Sequence, residues 1–435
     1  MESFELPTIP EFFRDREIFI TGGTGFVGKA IIEKILYSCP EISKIYLLVR
    51  CKKGVGVSER LEKFKSNQIF NRIREKDAKL LDKLIPLAGD SMSLQLGLSD
   101  EDLAKMENVS VIINSAASVR FDEPLRDAIF MNTRSARELV VIAEKLKNLK
   151  VLVHISTTYC NPGYEVIEEK IYPPLADWRQ TIKLAENMDG DTLEILAAKY
   201  MDFQPNTYAF TKSLAEQIMK ENSDRLPIII FRPSIIAPSV KEPFAGWVDS
   251  FNGIAALVTI GISGLGRLLY CVPENKLNIQ PLDVCVRSLL VATWKGGQTA
   301  TNEMMWYPNA SSISSYVLYR IAFIVFQVIP GIFLDVIFKI IGRKSIAMSF
   351  TRKFYFASFS LTFFMFNEWL FVNENCFNLM NDIKEEDLEA FAFDFYENIE
   401  EEDYGYITGL EVKRKCFHVL LFDIIHEIEE ILIHK

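Results

Sequence analysis

Of the fifteen tyrosines in the chain, Tyr208 alone has a lysine four positions on, Lys212, in Tyr208-Ala209-Phe210-Thr211-Lys212. In a helix, positions i and i+4 share a face. A phenol with its ordinary pKa near ~10 is a weak acid at neutral pH, and a nearby ammonium favours its ionised form. Such a pair can hand a proton to a carbonyl oxygen while hydride reaches the carbon, general acid help worth about 10²–10⁴ in rate. The lysine can also hold ribose hydroxyls. A third group should polarise the same oxygen, and the apolar run Val151–Ile155 ends in Ser156-Thr157-Thr158. Thr157 is the first choice for that role and Ser156 the second. Taken alone, the tyrosine and lysine would be an ordinary surface pair. The hydroxyls would then only satisfy strand-end backbone. What precedes them in the chain favours the catalytic reading.

That preceding signal is Thr21-Gly22-Gly23-Thr24-Gly25-Phe26-Val27-Gly28, directly after the apolar run Glu17–Ile20 and at the start of a helix expected over Val27–Tyr37. A glycine-rich turn between strand and helix is where a dinucleotide pyrophosphate binds, on unpaired N–H groups at the positive end of the helix. Gly23 and Gly25 are expected to allow the tight turn and close backbone approach. Gly28 is expected to let the helix pack on the strand. About 20 residues further on, an acidic side chain would hold the ribose 2′-hydroxyl of NAD. Here the second strand ends in Val49-Arg50-Cys51-Lys52-Lys53. Arg50 and Lys53 suit a 2′-phosphate instead, so NADPH is the expected cofactor. Asp90, after the third strand, is expected near the adenine. Asn114 and Ala116, in the small-residue segment after the fourth, would let the chain pass close to the cofactor.

The elements that must position these groups are legible as periodicity. Glu17–Ile20, Ile45–Val49, Leu84–Leu87, Val109–Ile113, Val151–Ile155 and Ile228–Phe231 are short apolar runs, with helical patterns such as Ala136–Leu149 between them. Continuous apolar strands alternating with helices imply a parallel sheet covered on both faces. The expected class is α/β, a doubly wound Rossmann-type sheet. Beyond Ser315 the sequence turns aromatic and helical, without strand alternation. Two domains are expected: 12–315, holding the cofactor, and a smaller, mostly α-helical one over 316–430. The acidic stretch Glu385–Asp403 reads as a solvated face.

Composition narrows the function classes. With 435 residues, 49% hydrophobic and 24% charged, the chain can bury sizeable cores. A net charge of −10 argues against a nucleic-acid partner. The four histidines, His154, His418, His426 and His434, make no zinc motif with the cysteines, so no metal is expected. Seven cysteines without a CxxC suggest buried thiols in a reducing compartment. No uncharged apolar stretch is long enough to span a bilayer. Leu318–Ile341 is interrupted by Arg320, Asp335, Lys339 and Pro330-Gly331, and could lie on a membrane surface. Ile254–Leu269 and Phe350–Leu370, rich in apolar residues, could line an acyl tunnel, although such stripes are more often core. Cys416–Ile425 is too short to span.

These features resemble the extended short-chain dehydrogenase/reductase superfamily, with its TGxxGxxG turn, strand-end Ser/Thr and YxxxK. Longer segments resemble the alcohol-forming fatty acyl-CoA reductases: TGGTGFVGKAIIEKIL, NSAASVRFDEPL, HISTTYCNP, IYPPLADW, NTYAFTKSLAEQ, FRPSIIAPSVKEPFAGWVDSFNG and NEWLFVNEN. The likeness runs from about Phe12 to His418. It implies two successive reductions of a long-chain acyl-CoA by NADPH, through a bound aldehyde, to a fatty alcohol. It places Tyr208 and Lys212 at the YxxxK pair and Gly22, Gly25 and Gly28 at the glycines. It also places Arg232, in Arg232-Pro233, near the nicotinamide side. Many relatives end in a membrane-spanning segment, which here is short or absent. Association with the cytoplasmic face of the endoplasmic reticulum or peroxisome is expected through the Leu318–Ile341 region. The rival is another extended reductase, acting on a sterol or a nucleotide sugar. A non-catalytic NADPH sensor would not need Tyr208, Lys212 and Thr157.

Overall fold

The computed structural model describes residues 6–51, 54–173, 175–202, 204–249, 278–298, 328–340 and 347–393. The chain divides into two compact units that interleave along the sequence. The first comprises Met1–Ser234, Leu282–Tyr307 and Trp369–Asp394; the second comprises Ile235–Pro281, Pro308–Glu368 and Phe395–Lys435. Composition had suggested one boundary between 315 and 316. The chain instead leaves the first unit at Ser234 and returns to it twice.

The first unit is built on six parallel strands: β1 (Glu17–Thr21), β2 (Lys44–Val49), β3 (Leu84–Ala88), β4 (Val109–Asn114), β5 (Val151–Ile155) and, after the two-residue β6 (Val166–Ile167), β7 (Ile228–Phe231). Their order is β3-β2-β1-β4-β5-β7. The order reverses between β1 and β4, and the crevice beyond their carboxyl ends is where such sheets bind ligands. One face buries Phe19, Ile112, Leu152, Ile228 and Ile230 against α2 (Ser135–Ala143) and α3 (Thr207–Asn222). The other packs on α1 (Phe26–Ser38) and α4 (Leu282–Gly296). Each such buried side chain contributes roughly 1.5–3 kcal/mol. These strands are buried because helices cover both faces, which explains why they read as unbroken apolar runs.

Helix α2 ends earlier than its apolar pattern suggested. The chain must turn into the sheet, and the Lys150 amide donates to Ser110 O at 2.8 Å. The late return to this unit was also hidden. β10 (Leu370–Phe371) pairs in parallel with β6, Leu370 opposite Val166 and Phe371 opposite Ile167. Two residues are too few to show an alternation. In the acidic stretch, Asp387 is not solvated: it is buried and accepts from the Ile9 amide at 2.7 Å. Burial pushes its carboxyl up. Residues 394–403 of that stretch lie outside the described residues.

In the second unit, β8 (Ile235–Ala237) pairs in parallel with β9 (Ile279–Pro281). The helices Ile329–Ile340 and Ala347–Phe366 are joined by an Asp335 carboxylate accepting from the Met348 amide at 3.0 Å. Among the described residues, no helix is long and apolar enough to cross a membrane. The apolar runs Ile254–Leu269 and Cys416–Ile425, and residues 318–327, lie outside the described residues.

Candidate active site

The glycine turn sits at the end of β1, and its geometry differs in detail from the sequence reading. The left-handed residue is Gly22, at φ +69°, rather than Gly23 or Gly25. A Cβ on Gly22 would fall 2.5 Å from Ala116 N and 2.6 Å from Ser115 C, so the segment after β4 runs directly against the turn. A Cβ on Gly28 would sit 2.3 Å from Gly22 O. That close approach brings the first turn of α1 onto the strand end. Gly25 is the N-cap of α1 and supplies no side-chain hydrogen bond. Thr24, Phe26 and Val27 are only partly buried. The helix thus presents its leading N–H groups without a capping side chain, above backbone that nothing bulkier than hydrogen obstructs. A dinucleotide pyrophosphate fits this arrangement.

Behind the turn, three side chains on adjacent strands join in a row. Thr21 Oγ1 donates to Asn114 Oδ1 at 2.7 Å, and Asn114 Nδ2 lies 2.9 Å from His154 Nδ1. The register makes this possible, because Thr21 is opposite Asn114 and Asn114 is opposite His154. The Ala116 amide donates back to Thr21 Oγ1 at 3.3 Å. Asn114 therefore positions the cleft floor with its side chain turned into the protein.

Tyr208 lies in the first turn of α3, whose N-cap Asn206 accepts from the Ala209 amide at 2.8 Å. The Thr157 side chain acts on its hydroxyl, favouring the ionised form. Thr157 is itself fixed by capping the short turn that follows β5, accepting from the Tyr159 amide at 3.3 Å. The ring of Phe121 packs on that of Tyr208, with centroids 6.0 Å apart. Lys212 is 2% exposed and donates from Nζ to Ile155 O at 2.6 Å. The expectation that this ammonium lowers the Tyr208 pKa is corrected here. Burial pushes the phenol up, Thr157 counters only in part, and Lys212 is not among the groups acting on it. Burial thus favours the protonated phenol. Burial also pushes the Lys212 ammonium down, to about 8, while Glu216 and Cys160 act in the opposite sense.

Ser156 is not brought to the phenol. It is buried, and its hydroxyl has no hydrogen-bond partner. Arg232 departs further from expectation. Its guanidinium makes a two-pronged pair with Glu216 at 2.8 and 2.6 Å, and donates to Lys170 O at 3.1 Å. With 2% and 1% of the two side chains exposed, this pair lies in the interior. At the other end of the cleft, Arg50 pairs with Asp90, Nε to Oδ2 at 3.1 Å and Nη2 to Oδ1 at 3.1 Å. Asp90 thus faces an arginine, and the half-exposed guanidinium remains open to a further anion. Lys53 lies outside the described residues.

Sequence reasoning missed Asn132, Glu216 and the floor role of His154. Asn132 sits in a π-helical turn, Ile129–Arg134; it accepts from the Ser118 amide at 2.9 Å and donates to Thr211 Oγ1 at 3.0 Å. It ties the Ser118–Glu123 loop to α3. Nothing in its local sequence signals this. Glu216 could have been found, since it follows Lys212 by one helical turn. Among the described residues, no His/Cys/Asp/Glu group could hold a metal.

Two family models described as male sterility protein match the chain, an NAD-binding one over residues 20–289 and a second over 326–412. The chain is 33% identical to fatty acyl-CoA reductase 1 of Xenopus laevis, over 89% of this chain and 82% of that protein. It is 32% identical to fatty acyl-CoA reductase 1 of Homo sapiens over the same shares. It is 33% identical to fatty acyl-CoA reductase wat of Drosophila melanogaster, over 88% and 81%. Among solved structures, the terminal R domain of the myxalamid PKS-NRPS pathway is similar in fold, with a TM-score of 0.59 at 15% identity over 93% and 91% of the two chains. The reductase domain of a Mycobacterium tuberculosis non-ribosomal peptide synthetase gives 0.55 at 16%, over 94% and 93%.

Proposed function

From the chain's membership of the fatty acyl-CoA reductase family, we propose that it reduces long-chain acyl-CoA to fatty alcohol with NADPH, through an aldehyde that stays bound. The observation that carries this reading is the placing of Tyr208 and Lys212 on one helix, with Lys212 Nζ bonded to Ile155 O at the carboxyl end of β5. Family membership supports the acyl-CoA substrate. The open Arg50 guanidinium supports NADPH over NADH.

The bound nicotinamide would supply hydride to the carbonyl carbon. Tyr208 and Thr157 would hold the carbonyl oxygen between two hydroxyls, and Tyr208 would protonate it as charge develops there. The resulting hemithioacetal loses CoA as the thiol and leaves an aldehyde. A second hydride and a second proton from Tyr208 give the alcohol. Each round needs the phenol protonated at its start, which its raised pKa favours. Lys212 would bind the ribose hydroxyls. Phe121, stacked on Tyr208, would limit water at the reacting carbonyl. No cysteine nucleophile is required; burial pushes the Cys160 thiol well up, away from the reactive thiolate.

The reading includes a membrane-surface partner at the cytoplasmic face of the endoplasmic reticulum or peroxisome. The helix Ile329–Ile340 exposes Ile329, Ile332, Phe333, Val336 and Ile340 at helical spacing, which supports shallow insertion. Incubation with palmitoyl-CoA and NADPH, followed by gas chromatography of the products, tests the central claim. Hexadecanol with two NADPH consumed per acyl chain is expected. No NADPH consumption across a saturated acyl-CoA series from lauroyl to lignoceroyl would overturn it.

A further inference from the structure

Glu216 lies one helical turn beyond Lys212 and is 1% exposed. Its two oxygens are gripped by Arg232 Nε at 2.8 Å and Nη2 at 2.6 Å, and Oε1 also accepts from Cys160 Sγ at 3.2 Å. Cys160 is held in turn by Asn161 Nδ2 at 3.1 Å. A carboxylate this constrained cannot swing away from the helix face it shares with Lys212. An ion pair buried to this degree is weak evidence for stability, because desolvation offsets its attraction. It is therefore reasonable to ask what else the carboxylate does.

We propose that Glu216 is a positioning residue for Lys212, the fixed counter-charge that keeps the buried ammonium protonated and aimed at the strand end beside the cofactor cleft. The groups facing that ammonium are Glu216 on its own helix, His154 on β5, and Cys160 in the turn after β5; Arg232 stands on the far side of Glu216. Burial and the Lys212 charge push the His154 imidazole well below its ordinary range, so it is neutral. Burial pushes the Cys160 thiol and the Tyr208 phenol up, so both keep their protons. That leaves Glu216, gripped by a guanidinium, as the anion among them. Burial alone drives the Lys212 ammonium down, and Glu216 heads the groups that oppose this. Loss of Glu216 would remove the foremost group opposing that burial.

The inference rests on the reductase reading only in taking Lys212 as the residue that holds the cofactor. Its test is therefore direct binding of NADPH, followed by fluorescence as a function of pH, with no acyl substrate present. Binding by the wild-type protein should weaken above about pH 8, where Lys212 loses its proton. Glu216→Gln should move that limb towards acid by about one unit, the low end of the usual effect of an opposite charge. Because this variant strands a buried guanidinium, the paired variant Glu216→Gln with Arg232→Met, which removes both charges at similar volume, is measured beside it and should show the same acid-ward limb. Glu216→Asp, which keeps the charge, should hold the limb nearer its wild-type position. A limb that stays put in the paired variant, or moves as far in the Asp variant as in the Gln variant, overturns the proposal. Failure of the acyl-CoA reading shows differently, as a wild-type protein that binds NADPH with this limb and leaves palmitoyl-CoA intact.

Discussion

The side chain of Thr157, just past the end of β5, acts on the phenol of Tyr208 at the start of α3. Each partner is independently fixed, Tyr208 by the Asn206 cap of its helix and Thr157 by its bond to the Tyr159 amide. The two hydroxyls therefore converge before any substrate arrives, which is the preorganisation that proton transfer to a carbonyl oxygen requires.

Replacing Tyr208 by Phe removes the proton donor and little else. Turnover of acyl-CoA should fall by at least ~10²-fold, in line with general acid catalysis, while the dissociation constant of NADPH stays within about twofold. Steady-state rates beside a fluorescence titration check this. Unchanged alcohol formation in the variant would remove Tyr208 from the mechanism.

Thr157→Val keeps the shape but loses the hydroxyl, so kcat should drop by about 10-fold or more with KM little altered. Thr157→Ser retains the hydroxyl and its cap on the Tyr159 amide, and should recover most of the rate. Equal losses in the two variants would mean that the methyl group, not the hydroxyl, matters.

The pH profile follows from the opposite displacements of the two groups. Burial raises the phenol and lowers the Lys212 ammonium to about 8. The rate should be level near neutrality and fall as pH rises through that value, because the lysine is then lost while the phenol is still protonated. For folding the sign is reversed. The unfolded chain holds the Lys212 proton more tightly than the folded one, so between about 8 and the ordinary lysine range this group's contribution to stability rises with pH. A rate that climbs through this window would show that the phenolate, not the phenol, is the working form.

Gly28→Ala places a methyl 2.3 Å from Gly22 O, a backbone atom that cannot yield without moving the turn. Cofactor affinity should fall by about 10-fold or more, and the melting temperature should fall as well. Calorimetric titration decides this, and an alanine variant that binds normally would show that α1 can shift without cost.

Arg50→Ala should weaken NADPH about 10-fold and leave NADH unaffected, because the guanidinium lost is the one open to a 2′-phosphate beside Asp90. If both cofactors lose equally, Arg50 organises the loop rather than reading the phosphate.

The sequence by itself determined the sheet, the glycine turn and the tyrosine–lysine pair. These rest on local rules: apolar runs mark strands buried on both faces, glycines mark close approach, and a four-residue spacing marks one helix face. Tertiary structure alone decided the rest. It set Thr157 to act on the Tyr208 phenol and left the Ser156 hydroxyl without a hydrogen-bond partner. It paired Arg232 with Glu216 in the interior and turned Lys212 to Ile155 O, so that burial rather than the ammonium governs the Tyr208 phenol. It also returned Leu370–Phe371 to the first unit through β6. Desolvation and long-range pairing depend on which distant segments meet, and no window of sequence contains that information.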